Sequence, residues 1–351
     1  MQVSPPLVST LKRTAAAALA TVTLAGGGAW ASSAWYVGDG PDGRPTMLEL
    51  TVEEDGRAYG RVVQGPALAG EAPGLDVRFE GTAGVQANGV RVDARAQGFG
   101  LPEDGVALAI VADDRASRGG SAELDPRGAA FVTFLPDDGP AWRASLTAVA
   151  IGVRSRTTLD DGSLEVSASG PFFLVAPWSE LQVAPDPNDL AESVLSGLEQ
   201  RADGGEGFAS LVWWDERIVE VAALTPSLVS VRLDFYAYTG GAHPNTWYAF
   251  ATWTWDEDDE EWRRADACTA LRALGYRCDP SALRTAITVD LLGQEAAWVV
   301  EGSVDATTPW LLDPFTVTTR GLRFDYAPYD VGPYAQGPFE VRVPFETLSP
   351  R

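Results

Sequence analysis

Two alternating runs separated by a pair of glycines place the strongest constraint on this chain. Val229, Val231, Leu233 and Phe235 alternate with polar residues on the way to Tyr238, and Trp247, Ala249, Ala251, Trp253 and Trp255 share one face beyond Asn245. A period of two on both sides of Tyr238-Thr239-Gly240-Gly241-Ala242-His243-Pro244-Asn245 predicts two long strands joined by a tight turn, because a helix would scatter those apolar residues around its axis. Gly240 and Gly241 supply backbone angles that other residues resist. The turn also carries His243, the only histidine among 351 residues. His243 is therefore a candidate ligand, base or pH-sensitive contact. The plainer alternative is a ring that hydrogen-bonds its own turn.

Alternation recurs in shorter pieces upstream. Leu48, Leu50 and Val52 lead into Asp55-Gly56, and Tyr59, Arg61 and Val63 lead out, which is a hairpin pattern. Apolar runs follow at 75–79, 85–94, 106–111 and 129–135, separated by Gly- and Asp-rich turns, with a polar loop over 113–120. Short strands with frequent turns predict an N-terminal all-β sandwich or barrel over 32–138. Pro136-Asp137-Asp138-Gly139-Pro140 breaks any element and is the linker candidate.

Beyond it the pattern becomes α+β, with helices inserted between strands. Strands are expected at 144–154, 163–168, 210–214 and 218–224. A helix is expected from the Asp186 cap and Pro187 through Leu190, Val194 and Leu198 to Asp203-Gly204-Gly205. A second helix runs from Ala267 to Leu274. A third follows the Asp279-Pro280 start and carries a stripe of Leu283, Ile287 and Leu291. A hairpin around Arg320-Gly321, a Tyr/Pro-rich loop and a strand at 339–343 close the chain.

The first 31 residues read as an export signal. Lys12 and Arg13 are its positive start, an Ala-rich run follows, and Ala29-Trp30-Ala31 is a small-residue cleavage site. The apolar run is short and interrupted by glycines, so a membrane-spanning helix is not expected there. Whether the segment is cleaved or kept as an anchor stays open. Cys268 and Cys278 are the only cysteines. In an exported chain such a pair most simply forms a disulfide, with two free thiols as the alternative.

The formal charge of -23 repels nucleic acid and anionic lipid, so neither is an expected partner. A basic protein, a cation or a neutral glycan fits better. Lys12 is the only lysine, so no Schiff-base or general-base lysine exists downstream. No recognisable nucleophile, zinc or phosphate-cradling motif occurs, so catalytic residues, metal ligands and cofactors are expected to be none. The acidic run 256–261 lacks the spacing and central glycine of a calcium loop and reads as a hairpin tip. Trp247, Trp253 and Trp255 form either a core row or a carbohydrate platform.

Several stretches together resemble the RsiV-like extracytoplasmic domain family. They are Tyr238 to Asn245 after its alternating strand, Gly321-Leu322-Arg323-Phe324-Asp325-Tyr326, Pro328-Tyr329-Asp330-Val331-Gly332-Pro333-Tyr334-Ala335-Gln336-Gly337, and the closing Val341 to Leu348. The resemblance covers about 211–348 and extends more weakly over 142–207. It implies an α+β domain over 139–351, with a preceding subdomain at 139–207 and the core at 208–351. In that family an anti-sigma factor's outer domain binds lysozyme, and a related domain precedes a peptidoglycan deacetylase. No sigma-binding segment or deacetylase domain is recognisable in these 351 residues, so those activities are not expected to carry over. The resemblance implies an exported, non-enzymatic binding protein of the cell envelope whose partner is a basic protein such as lysozyme or a wall glycan. His243, Asn245, Tyr238, Tyr329 and Tyr334 are the candidate binding residues. A wall-active hydrolase or deacetylase is the rival, and a structural envelope protein the third reading.

Overall fold

A computed structural model of the chain describes residues 32–86, 89–99, 101, 105–112, 124, 128–135, 141–158, 164–181, 183, 213–238 and 243–351. The expected export signal, the linker at 136–140, the helix at 186–203 and Gly240-Gly241 lie outside them.

The N-terminal strands form a barrel. β1 (Ser32–Asp39), β2 (Pro45–Val52), β3 (Arg57–Gln64), β4 (Asp76–Gln86), β5 (Gly89–Phe99), β6 (Val106–Ala112), β7 (Ala129–Leu135) and β8 (Trp142–Thr158) pair in order, and β8 returns to β1 to close the ring. Every pairing is antiparallel. The expected choice between sandwich and barrel thus resolves to a barrel. Closure removes the exposed strand edges that an open sheet would carry. Alternate residues point inward, and Tyr36, Leu48, Leu50, Val62, Ile110, Val132, Phe134 and Leu146 fill the interior as one apolar core. The strand that completes the ring starts after the expected linker, so the cut between 138 and 139 falls between two neighbouring wall strands.

β8 also leads out of the barrel. Residues 142–151 pair with β7 and β1, while 150–158 pair with β9 (Leu164–Phe173). β9 runs parallel to β10 (Trp213–Leu224), which pairs antiparallel with β11 (Leu228–Tyr238), then β12 (Asn245–Asp256) and β13 (Glu261–Arg264). The two strands expected at 210–214 and 218–224 are one. Asp215-Glu216-Arg217 is polar in composition, yet each residue pairs with β11 in unbroken register, and the register shifts only later, between Val221 and Ala223. One face of this sheet, with Val219, Val221, Val229 and Val231, packs on the outer barrel wall at Trp35, Val37, Met47 and Val63.

The opposite face receives the C-terminal unit: α1 (Ala267–Ala273), α2 (Pro280–Gly293), α3 (Ala297–Val300) and a sheet of β14 (Phe315–Val317), β15 (Gly321–Tyr326) and β16 (Phe339–Pro344). The Asp279-Pro280 start is capped as expected, and α1 carries a cap of its own. Asp266 accepts from the Thr269 amide, and Asp279 accepts from Ser281 and Ala282 with Pro280 in the first turn. Gly275 takes φ +83° to end α1. Cys268 and Cys278 form a disulfide with Cα atoms 5.2 Å apart. Among the described residues no helix is long and apolar enough to cross a membrane.

The segment after β3 ties barrel to C-terminal unit. Tyr276 donates its hydroxyl to the carbonyls of Ala67 and Leu68, both at 3.2 Å, and Thr319 donates to Gln64 O at 2.8 Å. Ala67 itself belongs to the C-terminal core.

The orientation of α2 gives a direct test. Ile287 is fully buried and Val289 is 62% exposed on the same helix. Ile287→Ala is expected to lower unfolding free energy by about 2–5 kcal/mol. Val289→Ala should change it by less than about 0.5 kcal/mol, both read from urea unfolding.

Candidate functional site

The two sequence stretches singled out above meet in space. His243 precedes β12, and Tyr334 begins a 3-10 turn at Tyr334–Gln336. Their rings stack with centroids 3.6 Å apart and planes 13° from parallel. Tyr334 donates its hydroxyl to Pro244 O at 2.7 Å, and His243 Nδ1 lies 3.0 Å from the same carbonyl. A carbonyl only accepts, so this contact selects the tautomer protonated at Nδ1. Tyr329 extends the group, with its ring 5.7 Å from that of Tyr334, and is 53% exposed.

The loop that presents these tyrosines is pinned residue by residue. Asp330 accepts from the Ala327 amide at 2.7 Å, and Tyr329 N donates to Gly332 O at 3.1 Å. Burial pushes the Asp330 carboxyl up, with the Ala327 hydrogen bond acting against it. Val331 is buried, and its carbonyl accepts from Trp298 N. Gln336 accepts from Ala297 N at 3.0 Å and donates to Glu295 O at 2.9 Å. A side chain at Gly332 would collide with the Gln336 carboxamide oxygen. Tyr329 alone in this loop is a non-glycine residue with positive φ, at +75°. That geometry costs a tyrosine about 1–2 kcal/mol, and such strain concentrates where function uses it.

Of the five expected binding residues, the structure brings His243, Tyr329 and Tyr334 together. Tyr238 and Asn245 sit at the adjoining strand ends, opposite Trp214 and Ala237 respectively. The tryptophan row divides. Trp253 packs into the core with Arg264 over its ring, and Trp255 meets Trp262 edge-on. Trp247 is 41% exposed, stacked on Phe235 at 5.1 Å, with Arg217 over the far ring.

An ion network that no sequence motif announces joins β10 to the barrel and to the C-terminal sheet. Glu220 of β10 receives Arg323 of β15 through two hydrogen bonds of 3.0 and 3.1 Å, and pairs with Arg232 of β11 at 3.1 Å. Arg61 of β3 reaches it at 3.9 Å and is itself held two-pronged by Asp76 at 2.8 Å. Asp325 bridges Arg232 and Arg323 at 3.1 and 2.9 Å, and Arg232 also pairs with Asp234 and lies 4.9 Å from the Tyr248 ring centre. The signal was present as acid and arginine two positions apart on a strand, in Arg232-x-Asp234 and Arg323-x-Asp325, where both side chains share a face.

The protonation pattern follows from packing. Burial raises the carboxyls of Asp234 and Asp325 against the pull of their arginines. Burial opposes the charge on Glu220 too, but hydrogen bonds from Arg323 and the charges of Arg323, Arg232 and Arg61 outweigh it and hold Glu220 below the ordinary glutamate range. A carboxylate lowered in the folded state stabilises fully above its unfolded pKa, about 4.3, and loses that contribution as pH falls through the folded value. Glu220→Gln should therefore cost about 2–3 kcal/mol near pH 7, less than a fully buried pair because a quarter of the side chain stays exposed. The gap to the parent protein should narrow toward pH 3 in urea titrations.

Against known proteins, a family described as a protein of unknown function, DUF3298, matches residues 293–346. That span holds α3, the β14–β16 sheet and the Tyr329–Tyr334 loop. Two solved structures are similar. A member of the DUF3298 family from Bacteroides fragilis is 20% identical, covering 56% of this chain and 90% of that one, with a TM-score of 0.36. A DUF3298 family protein from Pseudomonas aeruginosa is 15% identical, covering 56% and 89%, with a TM-score of 0.33. No curated protein matches the chain.

Proposed function

We propose that the chain is an exported binding protein of the cell envelope, and that the His243–Tyr334–Tyr329 surface is its recognition face. The observation that carries this reading is the convergence of two stretches, 90 residues apart, on one ring cluster in which half-buried His243 and Tyr334 stack and Tyr329 stands exposed beside them. Tyrosine and histidine offer large contact area with little side-chain entropy and a polar tip for hydrogen bonding, which is the makeup of interface hot spots. The loop beneath them is pre-organised by its own hydrogen bonds, which lowers the ordering cost of association. Strain at Tyr329 supports a role for the side chain outside the fold. The RsiV-like resemblance of the same two stretches supports a protein partner. The disulfide, which forms and persists in oxidising compartments, supports export.

A basic protein such as lysozyme is the partner this reading favours. The net charge of -23 speeds encounter with a cation more than it tightens the final complex. Wall glycan is the second reading, favoured by exposed Trp247 stacked on Phe235, an aromatic surface on which a sugar ring can lie.

Tyr329→Gly separates binding from folding. Glycine adopts positive φ freely, so the variant should be as stable as the parent, or up to about 1 kcal/mol more stable. Binding to hen lysozyme, measured calorimetrically at low salt, should weaken at least about tenfold. No binding by the parent chain, or equal binding by both, would remove the protein-partner reading.

A further inference from the structure

An open cleft lies on the outer barrel wall where β10 passes β2 and β3, lined by none of the ring-cluster residues. Its volume is about 610 Å³. Strand register arranges its wall in rows. Glu49, Arg61, Arg78 and Gln97 stand directly opposite one another across β2, β3, β4 and β5, and Tyr59, Glu80 and Arg95 make the next row. Glu220 closes the end nearest β10.

These groups divide into held and available. Arg61 is fixed by Asp76, and Glu220 by Arg323 and Arg232. Glu49 and Arg78 enter none of the ion pairs or side-chain hydrogen bonds seen among the described residues. Burial pushes the Glu49 carboxyl up, with Arg61 pulling it back. Tyr59 leaves its ring exposed at one side.

The chemistry of this wall selects among ligands. Three glutamates face three arginines, so a cleft in a strongly acidic chain carries no net charge. An anion would meet Glu49 and Glu80, and a cation would meet Arg78 and Arg95. A hydroxyl both donates and accepts, so a neutral polyol can satisfy a carboxylate and a guanidinium side by side. Adjacent strands lie about 4.8 Å apart, which spaces acceptor, donor and amide at intervals comparable to the width of a sugar ring. The Tyr59 face offers an apolar surface to the ring's C–H groups.

We propose that this cleft binds a neutral oligosaccharide. Glu49 accepts from ligand hydroxyls, Arg78 and Gln97 donate to them, and Tyr59 covers one ring face. The site is separate from the His243–Tyr334–Tyr329 surface and does not depend on its partner.

The test is calorimetric titration of the full chain with chitotetraose and with cellotetraose. Saturable binding of at least one is expected. Arg78→Ala, Gln97→Leu and Tyr59→Leu should each weaken it about tenfold, the loss of roughly one hydrogen bond or stacking contact. Arg78 and Gln97 are exposed, so thermal melts should stay unchanged, and should one variant fail to fold the other two still decide. Tyr329→Gly should leave sugar binding intact, which separates this site from the recognition face. The proposal is overturned if neither sugar binds at millimolar concentration, if binding ignores all three wall variants, or if diglycine, a zwitterion, binds more tightly than both sugars.

Discussion

One carboxylate joins the three parts of this protein. Glu220 lies on the central sheet and meets Arg61 from the barrel wall, Arg232 from the neighbouring strand and Arg323 from the C-terminal sheet. Each arginine is steadied by a second acid: Asp76 for Arg61, Asp234 for Arg232, and Asp325 for both Arg232 and Arg323. Charges removed from water are costly unless paired and hydrogen-bonded, so losing Glu220 would leave Arg61, Arg232 and Arg323 each short of one partner. Apolar packing on the two faces of the central sheet supplies the area, while the network sets the register in which barrel, sheet and C-terminal unit meet.

That register has two consequences at the surface. On the C-terminal side, β15 leads directly from Arg323 and Asp325 through buried Tyr326 into the loop that presents Tyr329 and Tyr334. Tyr326 donates to Leu311 O at 2.8 Å, so the loop starts from a fixed base. On the barrel side, the same carboxylate closes the neutral cleft against Arg61. The two candidate sites therefore adjoin one ion network while offering different chemistry, aromatic rings in one and balanced charges in the other.

Much of this was legible as pattern. Alternation marked the barrel strands and the β11–β12 hairpin, Asp-Pro and glycine signals marked the C-terminal helices, and the cysteine pair is a disulfide. What pattern could not carry was who faces whom. Pro136 to Pro140 has the composition of a break, but the barrel needs an eighth strand to close, and that demand comes from curvature rather than composition. Asp215-Glu216-Arg217 looks like a turn because its side chains are polar, whereas its backbone is paired throughout. The Arg-x-Asp pairs are visible in sequence, but their convergence on Glu220 depends on three long-range contacts. His243 was visible as the lone histidine, and the tyrosine loop as a motif. Their stacking joins residues 91 positions apart, which no local rule reaches.

The central claim is that these two distant segments act as one recognition face. Hydrogen exchange of the full chain, with and without hen lysozyme at low salt, tests it most directly. The account predicts that residues 243–250 and 327–337 gain protection together while the barrel strands stay unchanged. Protection confined to one of the two segments, or appearing only on the barrel, would contradict it.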